Sequence, residues 1–417
     1  GRMPKASVRR DGTGNPDRRK RLYQVPSRRR WKPSERQDAE ARFPSSEREA
    51  GCRKRASGEM ARATPTDLSR STNPRVSAWR VYSEKMRAFV TGATGFVGHH
   101  VVRALVRRDV DVRVLVRPTS DRSVLADLPV KVVEGDLTDP STLTAACQGM
   151  NLVVHVAADY RLWVPDPGRM YDVNVTGTNN LIGAAVRAGV DRIVYTSSAV
   201  TVATQGDRPA TEADFVEAEA CLSAYQATKV QAEQAVWEWI RRGAQITIVN
   251  PSTVIGPVDR QPSPTGRLIR DFVSGRMPAY LNATLNWIDV RDVAEGHWLA
   301  ATQGRVGQRY LLTHESLTIG QVLEMLAQAC GRPVPRWRIP YAVAYAVGGI
   351  SELWARWMGG EPRATRDGVR MTTVPMRYDN SKAVNELGLP QTPLRIAVTD
   401  ACRWLTEQGH GYQGGGL

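Results

Sequence analysis

Tyr225 and Lys229 lie four residues apart in a stretch with helical periodicity, so their side chains share one face. A phenol with a reference pKa of about 10 is a poor base at neutral pH, and a nearby ammonium favours its phenolate. Such a pair can take or return a hydroxyl proton while a hydride moves at the same carbon. This chemistry also wants a hydroxyl to hydrogen-bond the substrate oxygen. Thr196-Ser197-Ser198, at the end of a β-rich run, supplies one, with Ser198 the first choice and Ser197 the second. Tyr-x-x-x-Lys by itself occurs in many amphipathic helices. Its weight here comes from position, because it opens a helix downstream of a serine-bearing strand and a glycine-rich turn.

That turn is Val90-Thr91-Gly92-Ala93-Thr94-Gly95-Phe96-Val97-Gly98, between a predicted strand and a predicted helix. Gly92 permits the tight turn, Gly95 lets the backbone approach a pyrophosphate, and Gly98 lets helix and strand pack closely. The helix then offers its unpaired N–H groups and positive dipole end to phosphates. Gly92 to Gly98 therefore read as the cradle of a nicotinamide dinucleotide, whose ribose Lys229 can hold. The next strand should end in the group that reads the adenosine ribose, and it ends in Val116-Arg117 with no carboxylate. Arg117 favours NADP(H). The alternative is a solvated arginine, with NAD(H) bound without a carboxylate partner. Asp136 and Leu137 follow a third strand and could face the adenine; Asp136 as a plain helix cap is the competing reading.

Predicted strands at 87–91, 112–116, 130–133, 152–156, 193–196 and 246–249 alternate with predicted helices at 96–108, 170–188 and 224–241. Near-continuous apolar strands between amphipathic helices indicate an α/β Rossmann domain over 86–250, a doubly wound parallel sheet covered on both faces. Beyond Pro251 the alternation weakens and proline becomes frequent. A smaller mixed α/β substrate region over 251–408 should pack across the carboxyl ends of the strands. Residues 409–417 read as a flexible tail.

Residues 1–85 hold 23 Lys and Arg against 10 Asp and Glu, out of a whole-chain net charge of +15. They lack a sustained hydrophobic period, so a basic disordered extension is expected. A nucleic-acid-binding arm is the sharper reading, but Met86 directly precedes the first strand as a natural start would, and no specific nucleic-acid partner is expected. Five scattered cysteines without Cys-x-x-Cys or Cys/His spacing argue against a metal site or a disulfide framework and fit a reducing cytoplasm. No apolar run reaches the roughly 18 residues that span a bilayer, so a soluble protein is expected. Trp337, Tyr341, Tyr345, Trp354 and Trp357 admit a membrane-interfacial face. Core or pocket lining is the commoner fate of such residues.

The chain resembles the extended short-chain dehydrogenase/reductase superfamily. The likeness is carried by 91–98, Asp136-Leu137, His155-Val156-Ala157-Ala158, Asn174-Val175-x-Gly177-Thr178, 196–199, Tyr225-x-x-x-Lys229 and Asn250-Pro251-Ser252, all in the superfamily's order. It implies that Ala157 and Ala158 line the cofactor groove and that Asn174 supports the active site. It also implies that Asn250, Pro251 and Ser252 approach the nicotinamide, and that a homodimer forms. Taken as structure alone, Asn174 would be a helix-surface polar residue.

The segments 157–163, 249–257, 264–267 and 275–280 are similar to the hopanoid-associated sugar epimerase group. That likeness implies a sugar or lipid-linked sugar substrate and work on hopanoid side chains; together with the late aromatic residues it admits peripheral contact at the inner membrane face. Nucleotide-sugar epimerases usually carry an arginine in the stretch corresponding to 283–289, which here has no cation. A diphosphate would lose a bidentate contact, unless Arg267 or Arg291 substitutes. In this respect, and in Arg117, the chain also resembles dihydroflavonol 4-reductases. A dinucleotide sensor without catalysis is the third reading, disfavoured because Ser198, Tyr225 and Lys229 are all present.

Overall fold

A computed structural model describes residues 85–204, 208–362 and 364–410. The expected disordered extension and most of the expected tail lie outside the described residues. β1 (Arg87–Thr91), β2 (Asp111–Val116), β3 (Val130–Glu134), β4 (Leu152–His155), β5 (Arg192–Thr196), β6 (Ile246–Pro251) and β10 (Arg309–Leu312) form a seven-stranded sheet. Its order is β10-β6-β5-β4-β1-β2-β3, and every pairing is parallel. The chain reverses direction across the sheet at β1 and β4, the switch point beside whose carboxyl ends such folds bind ligands.

The strands are apolar on both faces because both are covered. On β1, Ala88 and Val90 enter one core, with α1 (Phe96–Val106) and α7 (Val290–Thr302). Phe89 between them enters the other, with α2 (Pro140–Cys147), α4 (Gly177–Arg187) and α5 (Ala224–Arg241). The helix expected at 170–188 begins earlier, as α3 (Pro167–Tyr171), and passes through a π-helical turn at Asp172–Thr176 before α4.

Beyond β6, β7 (Thr253–Ile255), β9 (Thr284–Asp289) and β11 (Glu315–Thr318) make a small mixed sheet. With α6 (Pro264–Val273), α8 (Ile319–Cys330) and α12 (Leu394–Leu405) it encloses a third core. A two-stranded pairing joins β8 (Ala279–Tyr280) to β12 (Trp337–Arg338), followed by α9 (Tyr341–Met358), α10 (Arg366–Met371) and α11 (Ser381–Leu387). From beyond residue 250, β10 pairs with β6 on the outer edge of the main sheet, and α7 and α11 pack into its core.

The cysteines among the described residues are free thiols, and Cys330 and Cys402 are brought into side-chain contact. Trp337, Tyr341, Trp354 and Trp357 do not line a core; all four are exposed. Among the described residues, no helix is long and apolar enough to cross a membrane.

Candidate active site

The glycine turn follows β1 and is shaped by close approach. Gly92 has φ +76°, and a Cβ there would meet the Ala157 backbone nitrogen at 2.6 Å. A Cβ on Gly98 would fall 2.0 Å from the Gly92 carbonyl oxygen, so this glycine lets the helix close onto the turn itself. The Gly95 N–H donates to that carbonyl at 2.9 Å. α1 starts without a side-chain cap and without an acidic residue in its first turn. Its leading N–H groups thus keep the character of an anion cradle. Ala93 is buried, with Thr94, Phe96 and Val97 partly covered around it. Across the groove the Thr91 hydroxyl accepts the Ala157 N–H at 3.3 Å and pairs with His155 Nδ1 at 2.8 Å. Ala158 follows, partly exposed.

Arg117 is exposed directly beyond β2. Asp136 does not cap a helix: its carboxylate accepts the Thr138 N–H and hydroxyl at 2.8 and 2.7 Å, while Asp139 caps α2. Burial opposes ionisation of Asp136, but the Thr138 hydrogen bonds and the charges of Arg117 and Arg169 hold it below the ordinary range. Leu137 is buried against Gly177 at the start of α4.

α5 begins where Ser223 accepts the Gln226 N–H at 3.1 Å and the Gln226 side chain accepts the Leu222 N–H at 2.7 Å. This cap sets Tyr225 in the first turn and Lys229 one turn later. Ser198 follows β5, and its side chain lies beside the Tyr225 phenol, where its hydroxyl favours the phenolate. Burial pushes that phenol above its ordinary value, and the Ser198 contact is the opposing effect. The sequence expectation of an ammonium-acidified phenol differs from this, for a geometric reason. Lys229 Nζ donates to the Thr196 carbonyl at 2.8 Å and lies 5.2 Å from the centre of the Tyr195 ring. Burial also brings the ammonium down to about 8, with Glu233 raising it in opposition.

Asn174 sits in the π turn and is only 2% exposed, not a surface residue. Its side chain accepts the Asp159 N–H at 2.7 Å, and donates to the Asp159 carbonyl at 2.9 Å and to Thr228 Oγ1 at 3.0 Å. It therefore ties the 157–161 segment to α5. π turns of this kind recur at functional sites.

A network that the sequence reading missed lies beneath these groups. Glu233 is one turn beyond Lys229, so Tyr225, Lys229 and Glu233 form a single stripe. Arg309, from β10, reaches Glu233 at 2.8 Å, with both side chains at least 96% buried. Ser197 and Thr201 donate to the Glu233 carboxylate, as does Asn250 Nδ2 at 3.0 Å. Asn250 also donates to the Ser198 carbonyl at 3.2 Å. Burial would raise Glu233, but Arg309's charge and the hydroxyl donors outweigh it and lower it. Arg309 further donates to the Glu212 and Asp214 carbonyls and stacks over Phe215 at 3.7 Å. His297, uncharged at neutral pH because burial brings it to about 4, holds the Thr196 hydroxyl at 2.8 Å. Ser197 is thus committed to Glu233, leaving Ser198 facing Tyr225. The four-residue spacing would have signalled Glu233; nothing local signals Arg309.

The groups around this pocket fit a nicotinamide dinucleotide. Besides the uncapped turn, the Ser252 hydroxyl and Asn250 Oδ1 are buried without a hydrogen-bond partner at the end of β6, beside buried Pro251. On the substrate side, Arg291 is held by Asp289 and by Asp400, the latter at 2.7 Å, which removes it as a phosphate anchor. Arg267 is partly exposed and bridges to Glu361 at 3.2 Å. Tyr160, with its phenol raised to about 12 by burial and by Asp259, borders the same side.

Residues 88–312 match the NAD dependent epimerase/dehydratase family. The chain is 43% identical over 329 residues to the "Putative dihydroflavonol 4-reductase" of Synechocystis sp., covering 78% of this chain and 95% of that one. It is 37% identical over 326 residues to sterol demethylase protein B of Methylococcus capsulatus, covering 78% and 99%. The crystal structure of gox2253 superposes with a TM-score of 0.71 at 44% identity, covering 79% of this chain and all of the other. With its parallel sheet, glycine turn and Ser-Tyr-Lys cluster, this chain is an enzyme that belongs to the NAD dependent epimerase/dehydratase family of extended short-chain dehydrogenases/reductases.

Proposed function

We propose that this enzyme interconverts a hydroxyl and a carbonyl on a lipid-like or lipid-linked substrate, using NADP(H) in preference to NAD(H). The observation that carries the reading is the convergence of Ser198, Tyr225 and Lys229 where β5 ends. The cofactor, held by the Gly92–Gly98 turn and the Asn250–Ser252 strand end, would supply the hydride chemistry. Tyr225, whose burial favours the protonated phenol over the phenolate, gives its phenolic proton to the substrate oxygen in the reducing direction. Ser198 orients that oxygen, and Lys229 holds charge behind the phenol through Thr196.

Net reduction is favoured over epimerisation of a nucleotide sugar, because β9 offers no cation and Arg291 is already paired. The relatives named for dihydroflavonol reduction and sterol demethylation support an extended apolar substrate. The likeness to hopanoid-associated sugar epimerases supports a second reading, a sugar attached to a hopanoid. In both, the protein works in the cytoplasm as a homodimer with peripheral contact at the inner membrane face.

The test is cofactor consumption by the purified protein against sterol, polycyclic and lipid-linked sugar carbonyls. Stoichiometric NADPH oxidation is expected. Inversion of one sugar centre without net cofactor consumption would overturn net reduction. Arg117→Ala should raise the KM for NADPH about tenfold and leave that for NADH unchanged, as expected for loss of one charge-assisted phosphate contact. Equal effects on both cofactors would remove Arg117 from that role.

A further inference from the structure

α9 is amphipathic in the opposite sense to a helix that faces water. Its covered side consists of Ala344, Gly348, Glu352 and Ala355. A Cβ on Gly348 would meet the Arg366 backbone nitrogen at 3.0 Å, so the helix seats tightly on the start of α10. Glu352, the helix's sole carboxylate, turns inward, accepting the Arg366 N–H at 2.7 Å and its guanidinium at 2.9 Å. The outward side carries Val343, Val347, Ile350, Leu353, Trp354 and Trp357, and Trp357 is 91% exposed. Positions 343, 347, 350, 354 and 357 form one stripe along a helix about 27 Å long. Single exposed apolar residues are ordinary, but a continuous stripe marks a contact surface.

The surrounding charge selects the partner. Residues 332–377 contain eight arginines and three carboxylates. Each of the three carboxylates is in an ion pair, Glu352 with Arg366, Glu361 with Arg267 and Asp367 with Arg370. Exposed Arg336 and Arg338 flank Trp337 just before the helix, where a cleft of about 390 Å³ is lined by Arg332, Arg336 and Trp337. Arg356 borders the apolar stripe near its other end. Apolar stripe, exposed tryptophans and a cationic rim together complement the surface of an anionic bilayer.

We propose that the Tyr341–Met358 helix lies in the interfacial plane of an anionic membrane and docks the enzyme there. α9 packs on α10, and α10 reaches the catalytic helix: Asp367 accepts the Ala224 N–H at 3.4 Å, and Ser223 donates to Met371 Sδ at 3.3 Å. Docking on this face brings lipid to the Tyr225 end of the site. The surface gives a partner to the peripheral contact proposed above, and rests on that reading only for the purpose of the contact, not for its existence.

The experiment is co-sedimentation of the full chain with vesicles of phosphatidylcholine plus phosphatidylglycerol, or of phosphatidylcholine alone. It is run in low salt and in about 1 M salt, where a screening length of ~3 Å suppresses attraction by the basic residues before 85. In low salt the native chain should bind the anionic vesicles more tightly than the neutral ones, and in high salt, which screens the arginine rim as well, the apolar stripe should hold it to both alike; equal binding to the two in low salt overturns the choice of an anionic surface. Ile350→Glu combined with Trp354→Glu should weaken that binding about 100-fold, as loss of two inserted apolar side chains implies. NADPH affinity should be unchanged, which shows that the fold is kept. Val343→Ser with Ile350→Ser serves as a milder pair should the charged variant not fold. Binding by either pair equal to the native chain overturns the proposal, as does a native chain that leaves both vesicle types unbound. So does loss of self-association in sedimentation velocity without vesicle binding, which would make the face a contact between copies. None of these readouts depends on turnover, so failure of the proposed reaction is seen separately.

Discussion

α5 and α9 are both 18 residues long, and they solve opposite problems. α5 carries Lys229 and Glu233 into the interior, and every one of their charged atoms meets a partner from another element: Thr196, Asn250, Ser197, Thr201 or Arg309. α9 buries small residues and a paired glutamate while turning its bulk apolar residues outward. Buried charge persists only where the fold itself supplies compensation. An exposed apolar stripe has no such requirement met within the chain, so the first arrangement positions groups inside the fold and the second presents them to whatever the molecule meets.

The largest effect belongs to the Tyr225–Lys229–Glu233 stripe. Tyr225→Phe should lower turnover on the order of 10³-fold, the range of a positioned general acid. Cofactor affinity, read by fluorescence titration, should stay within a factor of two; turnover that survives would remove Tyr225 from proton transfer. Next, Glu233→Ala strands Arg309 in the interior and should reduce stability by about 3 kcal/mol. A denaturant midpoint matching the native one would mean that water already reaches that pair.

A smaller effect distinguishes positioning from mere structure. Because burial brings Lys229 down to about 8, its ammonium is present below that pH and lost above it. Activity should fall on an alkaline limb near pH 8. Glu233 raises Lys229, so Glu233→Gln should move the limb to lower pH, whereas a limb that stays put would deny the coupling. The smallest effect is on α9. Ile350→Ser should change stability by no more than about 0.5 kcal/mol, as at ordinary surface positions. A loss of several kcal/mol would show that the isolated chain already covers this face.

Much of the site was legible in the residues. Glycine at 92 and 98 is required because a Cβ would strike backbone, a constraint that spacing alone expresses. Tyr225 and Lys229 share a face because helical geometry makes residues four apart neighbours. Asn174 was legible as a candidate site residue through its motif, but not as the group holding the Asp159 backbone. The Asp136 cap was a wrong alternative, because an Asx turn to Thr138 competes locally with capping and nothing in the sequence ranks the two. Arg267 and Arg291 looked equivalent until Asp400, 109 residues downstream of Arg291, was seen to pair with one of them.

The chain's local order, strand then glycine turn then helix, and the four-residue periods of its helices follow from backbone sterics and could be read residue by residue. Periodicity says which side chains travel together along a helix. It is silent on whether their shared side meets a core, a partner charge or the outside. That Glu233 finds Arg309 across 76 residues, and that the stripe from Val343 to Trp357 faces outward, depends on how sheet and helices assemble. Those contacts are non-local, and their energies exist only once distant segments share the same space.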